Sequence, residues 1–140
     1  MKQFIGLLLL IQTVLLGCDP VRRIDMVNKT TDTVQFTWKL NEDSLMYNPF
    51  LLSNSKDLSF TLTPPKLTAI KMSFGQGSWT PGEVQKLVGF LTSFQIKSSS
   101  QKLKIDSLPL LKDFLLARRK GLGGARIQIE VTDQIFQSQR

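Results

Sequence analysis

The chain has 140 residues, a formal net charge of +7, one cysteine and no histidine. This length is typical of one domain. The lack of histidine excludes catalytic triads built on imidazole and removes the commonest metal ligand, and a single cysteine excludes a disulfide within the chain. We therefore expect no metal site and no cofactor, and we identify no catalytic residues.

The N-terminal segment begins with one positive residue and continues as an apolar run. A run too short to span a bilayer, with small residues at its end, is typical of a secretory signal peptide. The stretch Leu15-Leu16-Gly17-Cys18 resembles the lipobox of bacterial lipoproteins, in which the cysteine sulfur receives a diacylglyceryl group and the leader is cut before that cysteine. The resemblance covers the signal region alone. It implies that residues 1–17 are a removed signal peptide and that Cys18 carries the lipid.

Lipidation would make Cys18 the start of the mature chain, with residues 18–23 as a short tether and residues 24–140 as a single domain. Two acyl chains, at about 0.8 kcal/mol for each buried CH₂ group, anchor a protein stably in a membrane. We expect the anchor to lie at the periplasmic face of the outer membrane. Asp19 directly after the cysteine resembles a retention signal of enteric bacteria, so the inner membrane is the alternative.

Several segments of the predicted domain alternate between apolar and polar residues, which predicts strands with one buried face. Residues 23–40 contain two such runs around turn residues 28–32, and they predict a β-hairpin. The same alternation predicts strands at residues 58–62 and 70–74.

A helix start signal follows these strands. Thr80 is the expected cap, Pro81 occupies the first helical position, and Glu83 lies three residues after the cap. Trp79 is expected to pack against the start of this helix. Residues 94–105 then predict a second hairpin across a serine-rich turn.

A second helix is predicted to start at Ser107 and to end at Gly121, apolar around most of its circumference. Residues 125–133 predict the last strand, with its apolar side chains on one face. Together these elements predict an α+β fold, a small antiparallel sheet with two helices packed on one face.

The densest basic patch lies near the end of the second helix. It consists of Arg118, Arg119, Lys120 and Arg126. Such a patch is a candidate site for an anionic polymer, lipid headgroups or a partner. Favourable charge at a helix C-terminus explains the same residues without a ligand. Arg22 and Arg23 in the tether also have two interpretations, contact with lipid headgroups or solvated charges. We interpret them as solvated charges.

Three short motifs, Asp32-Thr33, Asp43-Ser44 and Asp106-Ser107, are each followed by an apolar residue. They resemble the O-glycosylation motif of exported proteins of the Bacteroidota, which implies Thr33, Ser44 and Ser107 as acceptors. Turns and helix caps use the same residue pairs, so a structural role is the alternative. With its short tether and single cysteine, the chain resembles small lipoproteins of that phylum.

The leading functional hypothesis is a lipid-anchored cell-envelope protein that acts by binding a protein partner in the envelope, as an accessory subunit or as an inhibitor or immunity protein. One alternative is a polyanion- or lipid-binding module that uses the basic patch. The other is an enzyme that acts on envelope glycans through carboxylates. The sequence favours binding over catalysis, and an exported chain is not expected to bind nucleic acid.

Overall fold

The structure is a computed structural model that describes residues 19–50 and 56–137, apart from the side chains of Leu45 and Met46. The predicted leader and Cys18 lie outside the described residues. The lipid anchor therefore stays a prediction from the sequence.

The described residues form eight strands, two α-helices and three short 3₁₀ helices. The strands are β1 (Val21–Asn28), β2 (Val34–Leu40), β3 (Asp57–Leu62), β4 (Ala69–Gln76), β5 (Leu91–Lys97), β6 (Lys102–Ile105), β7 (Arg119–Lys120) and β8 (Arg126–Val131). The α-helices are α1 (Pro81–Gly89) and α2 (Leu108–Leu116). The 3₁₀ helices are Glu42–Tyr47, Leu122–Gly124 and Asp133–Phe136.

The strands form two four-stranded sheets. The first sheet has the order β4-β1-β8-β7 and the second has the order β3-β2-β5-β6. In the first sheet β1 pairs antiparallel with β4 and parallel with β8, whereas every pair of the second sheet is antiparallel. The predicted α+β class is confirmed, but the prediction of a single small antiparallel sheet is wrong.

The predicted hairpin at residues 23–40 is also wrong, because β1 and β2 belong to different sheets. Alternation shows which face of a strand is buried, but it does not select the neighbouring strand. The connecting loop is held by Asn28, which is 4% exposed. Its Nδ2 donates to the carbonyl of Asp32 at 2.7 Å, and its Oδ1 accepts from the amide of Thr30 at 2.9 Å.

A chain of aromatic rings joins the two sheets in one core. Trp38 of β2 lies 4.2 Å from Phe94 and 5.3 Å from Phe50, measured between ring centroids. Phe50 contacts Phe74 of β4 at 5.1 Å, and Phe74 contacts Trp79 at 5.4 Å. Aromatic pairs at these separations are favourable beyond the area they bury. The core therefore continues from the second sheet to the turn that precedes α1.

The start of α1 and the second hairpin agree with the sequence. Thr80 Oγ1 accepts from the amide of Glu83 at 3.2 Å, which confirms the predicted cap. In the hairpin of β5 and β6, the register places Phe94 opposite Ile105 and Ile96 opposite Leu103 on the same face. This agreement is expected, since both features depend on residues close together in the chain.

The second helix differs from the prediction. It ends at Leu116, because Arg119 and Lys120 pair with β8 as the short strand β7. Its buried side chains are Leu111 and Leu115, and Leu110 is 58% exposed. The helix therefore buries one stripe against its neighbours, α1, β5, β6 and β8, rather than most of its circumference.

We predict that Phe94→Leu lowers the free energy of unfolding by about 1–3 kcal/mol, because it removes ring contacts with Phe36, Trp38 and Phe114 from a fully buried position. The measurement is urea unfolding followed by circular dichroism. Tyr47→Leu is the control, since Tyr47 is 79% exposed and its loss should change stability by less than about 0.5 kcal/mol. Equal losses in both variants would contradict the position of the core.

Candidate functional site

The outer face of the first sheet carries four basic side chains, which we call the basic face: Arg23, Lys71, Lys120 and Arg126. Ile24 and Met26 of β1 lie in the core, so the alternate residues of β1 point outward. The register places Arg23 beside Arg126 of β8, and Arg126 opposite Lys120 of β7. On the other side of β1, Lys71 of β4 is opposite Asp25.

A buried carboxylate lies at the centre of this face. Asp25 is 5% exposed, and its Oδ2 lies 3.3 Å from Arg23 Nε and 3.9 Å from Arg126 Nη1. The second carboxylate oxygen, Oδ1, has no hydrogen-bond partner among the described residues. Lys120 Nζ lies 3.9 Å from Glu130 Oε1 at the edge of the face. The basic face has four cations and two carboxylates, those of Asp25 and Glu130, so its net charge is positive.

The basic face adjoins the start of the described chain. The amide of Gly77 donates to the carbonyl of Pro20 at 2.8 Å, and the amide of Arg23 donates to the carbonyl of Ala125 at 3.0 Å. These bonds fix Pro20 and Arg23 against the rest of the domain. Arg23 lies five residues after Cys18 in the sequence, a separation of at most about 17 Å even in a fully extended chain.

The neighbouring arginine of β1, Arg22, is bound within the domain. Arg22 Nη1 donates to Glu83 Oε2, and its guanidinium carbon lies 5.5 Å from the ring centroid of Trp79. Trp79 is buried and donates through Nε1 to the carbonyl of Arg23 at 3.1 Å. The hydrogen bond from Arg22, with a second one from Lys86, holds the pKa of Glu83 below its ordinary value. This cluster joins the start of β1 to α1.

Of the four residues of the basic patch predicted from the sequence, two lie on the basic face and two do not. Lys120 and Arg126 lie on the basic face. Arg118 instead lies over the ring of Phe114, with its guanidinium carbon 3.6 Å from the centroid, and desolvation lowers the pKa of Arg118. Arg119 donates to the carbonyl of Trp79 at 2.9 Å.

The sequence does not predict Lys71 as a site residue, and it favours a solvated charge at Arg23. Both stand at polar positions of alternating strands, so the pattern indicates that they point outward. The pattern does not show that β4, β1 and β8 are neighbours, and this pairing is what assembles the basic face.

The three predicted O-glycosylation acceptors lie at the surface. Thr33 is exposed, and Ser44 and Ser107 are half-buried. Ser107 is the residue before α2 and makes no side-chain cap hydrogen bond. Asp106 accepts a hydrogen bond from Lys104 at 2.9 Å, which lowers the pKa of Asp106. The predicted modification of these residues stays a prediction.

A polar pocket of about 350 Å³ lies at the far end of β1 from the basic face. Three segments line it: residues 29–32 after β1, residues 98–101 between β5 and β6, and the 3₁₀ helix Asp133–Phe136. Ser99 Oγ donates to Asp32 Oδ2 at 2.8 Å and thereby joins the first two segments.

Within residues 19–50 and 56–137, no group of three or more cysteine, histidine or acidic side chains could hold a metal ion. The helices of this part of the chain are all too short or too polar to cross a bilayer. No protein-family model, no curated protein and no solved structure matches the chain. The geometry of the described residues therefore carries the functional argument.

We predict a pH-dependent contribution of Glu83 to stability. A carboxyl whose pKa is lowered in the folded state stabilises the fold above its ordinary value of 4.5, and this contribution is lost as the pH falls through the lowered pKa. Wild type should therefore exceed Glu83→Gln in stability near neutral pH, and the difference should shrink in acid. The measurement is urea unfolding between about pH 3 and pH 7.

The matched control is Glu42→Gln, which removes the same charge from an exposed ion pair with Lys56. Exposed pairs contribute little, so this variant should differ little from wild type across the range. A constant difference for Glu83→Gln at every pH would contradict the role of the Arg22–Glu83 pair.

Proposed function

We propose that the protein is a lipid-anchored protein of the bacterial cell envelope that acts by binding, and that its basic face contacts phosphate groups of lipid headgroups or of envelope polymers at the membrane surface. The observation that carries this proposal is the position of Arg23, Lys120 and Arg126 at the end of the first sheet where the tether enters.

Distance and charge both support contact between the basic face and the membrane surface. A lipid on Cys18 would hold the start of β1 within about 17 Å of the bilayer. Electrostatic attraction in physiological salt acts over about 8 Å, so only basic residues near the tether would sense the headgroups. Each lysine or arginine close to an anionic surface contributes about 1 kcal/mol to binding. We propose the periplasmic face of the outer membrane as the site of attachment, with the inner membrane as the alternative.

Binding is better supported than carboxylate catalysis, because several carboxylates are already engaged. Asp25 lies between two arginines, Glu83 is bound by Arg22 and Lys86, and Asp106 is bound by Lys104. A general acid or base must be free to exchange a proton with a substrate. The contacts of Glu83 and Asp106 instead lower the pKa of each of these two carboxyls and so favour their ionised forms.

We predict that Lys71→Gln with Lys120→Gln weakens binding to anionic vesicles by about 2 kcal/mol, or roughly 30-fold, because two cations are lost from the basic face. The measurement is cosedimentation of residues 19–140 with phosphatidylcholine vesicles that contain phosphatidylglycerol. This segment contains every described core residue and lacks the lipid that would insert into any vesicle. Wild-type binding should weaken strongly between about 0.1 and 0.5 M salt.

Lys66→Gln with Lys97→Gln is the matched control, since both lysines are exposed and lie outside the basic face. It removes the same charge and should retain nearly all of the affinity. Equal losses in the two double variants would show that only net charge matters. Equal binding of wild type to neutral vesicles would contradict the proposed role of the basic face.

We predict that the protein isolated from membranes begins at Cys18 and carries a diacylglyceryl group, which intact-mass spectrometry measures directly. Cys18→Ala should lack the lipid and retain the leader. An unmodified Cys18 in the native protein would contradict the anchor. In-cell crosslinking of the same two proteins tests the alternative of a protein partner in the envelope, because such a partner should depend on the anchor.

A further inference from the structure

The polar pocket has the size and the chemistry of a ligand site. Its volume of about 350 Å³ falls within the range of small-molecule pockets. It lies where β1 and β8 end together at Asn28 and Val131, and the turn between β5 and β6 completes its wall. The pocket is thus built by three loops from both sheets.

Hydrogen bonds fix the walls of this pocket. Asn28 binds the backbone of residues 30 and 32, and Ser99 Oγ joins the turn to Asp32. The amide of Gln101 donates to Ser98 Oγ at 3.1 Å, and the amide of Lys29 donates to the carbonyl of Val131 at 3.0 Å. A pocket whose walls are already ordered loses less conformational entropy when it binds a ligand.

Several polar groups of the wall remain open for a ligand. Within the described part of the chain, the side chains of Lys29, Thr31, Ser100 and Asp133 make no hydrogen bond or ion pair. They supply an ammonium donor, two hydroxyls that both donate and accept, and a carboxylate acceptor. Phe136, which is half-buried, adds an apolar surface beside them.

This combination favours a saccharide. Each sugar hydroxyl both donates and accepts a hydrogen bond, so it matches a wall that offers both donors and acceptors. The C–H face of a sugar ring can pack against Phe136. Two carboxylates, Asp32 and Asp133, and a single lysine line the pocket, so its excess of negative charge disfavours the anions that suit the basic face. The polar wall likewise disfavours an apolar ligand.

We infer that the pocket between residues 29–32, residues 98–101 and the 3₁₀ helix Asp133–Phe136 binds a neutral saccharide. That the saccharide belongs to an envelope glycan rests on the proposed function, whereas binding itself does not. The eight residues of β1 extend over roughly 26 Å, so this pocket lies at the opposite end of the strand from the start of the described chain.

The test is NMR titration of the ¹⁵N-labelled full-length protein with two probes, tri-N-acetylglucosamine and maltotriose, each up to about 20 mM. A polyoxyethylene detergent is used, since glycoside detergents carry the chemistry under test. Salt at about 0.5 M screens the basic face. We expect saturable shifts of amide signals from the three pocket segments. Preference for the first probe would indicate a cell-wall type of glycan, and preference for the second a glycan of neutral hexoses.

Thr31→Ala with Asp133→Ala should weaken binding at least about tenfold, because both side chains are exposed and we expect them to hydrogen-bond the ligand directly. Thr63→Ala with Asp43→Ala removes the same groups from exposed positions outside the pocket and should leave the affinity unchanged. A folded protein whose spectrum does not respond to either probe would overturn the inference, as would equal affinities in the two double variants. Since no lipid bilayer is present, failure here leaves the vesicle experiment unaffected.

Discussion

The parallel pairing of β1 with β8 brings the first and last strands of the described chain side by side, and both candidate surfaces depend on it. At one end it aligns Arg23 with Arg126 and creates the centre of the basic face. At the other end it aligns Asn28 with Val131, where two of the three pocket segments begin. Parallel strands need a long crossover connection, and here the second sheet and both helices lie within that connection.

The buried carboxylate of Asp25 offsets the repulsion between the arginines that this pairing brings together. Two arginines side by side on neighbouring strands repel each other, and like charges across a sheet are destabilising. Asp25 lies close enough to both guanidinium groups to offset this repulsion. The face remains positive because its four cations outnumber its two carboxylates, Asp25 and Glu130. By allowing two arginines to lie side by side, Asp25 contributes to a surface that favours anions.

The two ends of the first sheet present different chemistry. The basic face has an excess of cations and lies beside the tether, whereas the polar pocket has hydroxyls, two carboxylates and one lysine. In the function we propose, the basic face contacts the membrane surface and the polar pocket binds a separate ligand. The cluster of Arg22, Trp79 and Glu83 joins the start of β1 to α1.

The sequence alone determined the features that depend on near neighbours: the buried face of most strands, the Thr80 cap, and the β5–β6 hairpin. The tertiary structure alone decided which strands are neighbours. Alternation in β1 and β2 fits a hairpin as well as two separate sheets, because either arrangement buries the same side chains. The basic face and the polar pocket consist of residues that are distant in the chain, so no local pattern predicts them. The prediction that Cys18 carries a lipid rests on the sequence alone, because its motif is contiguous in the chain and Cys18 lies outside the described residues.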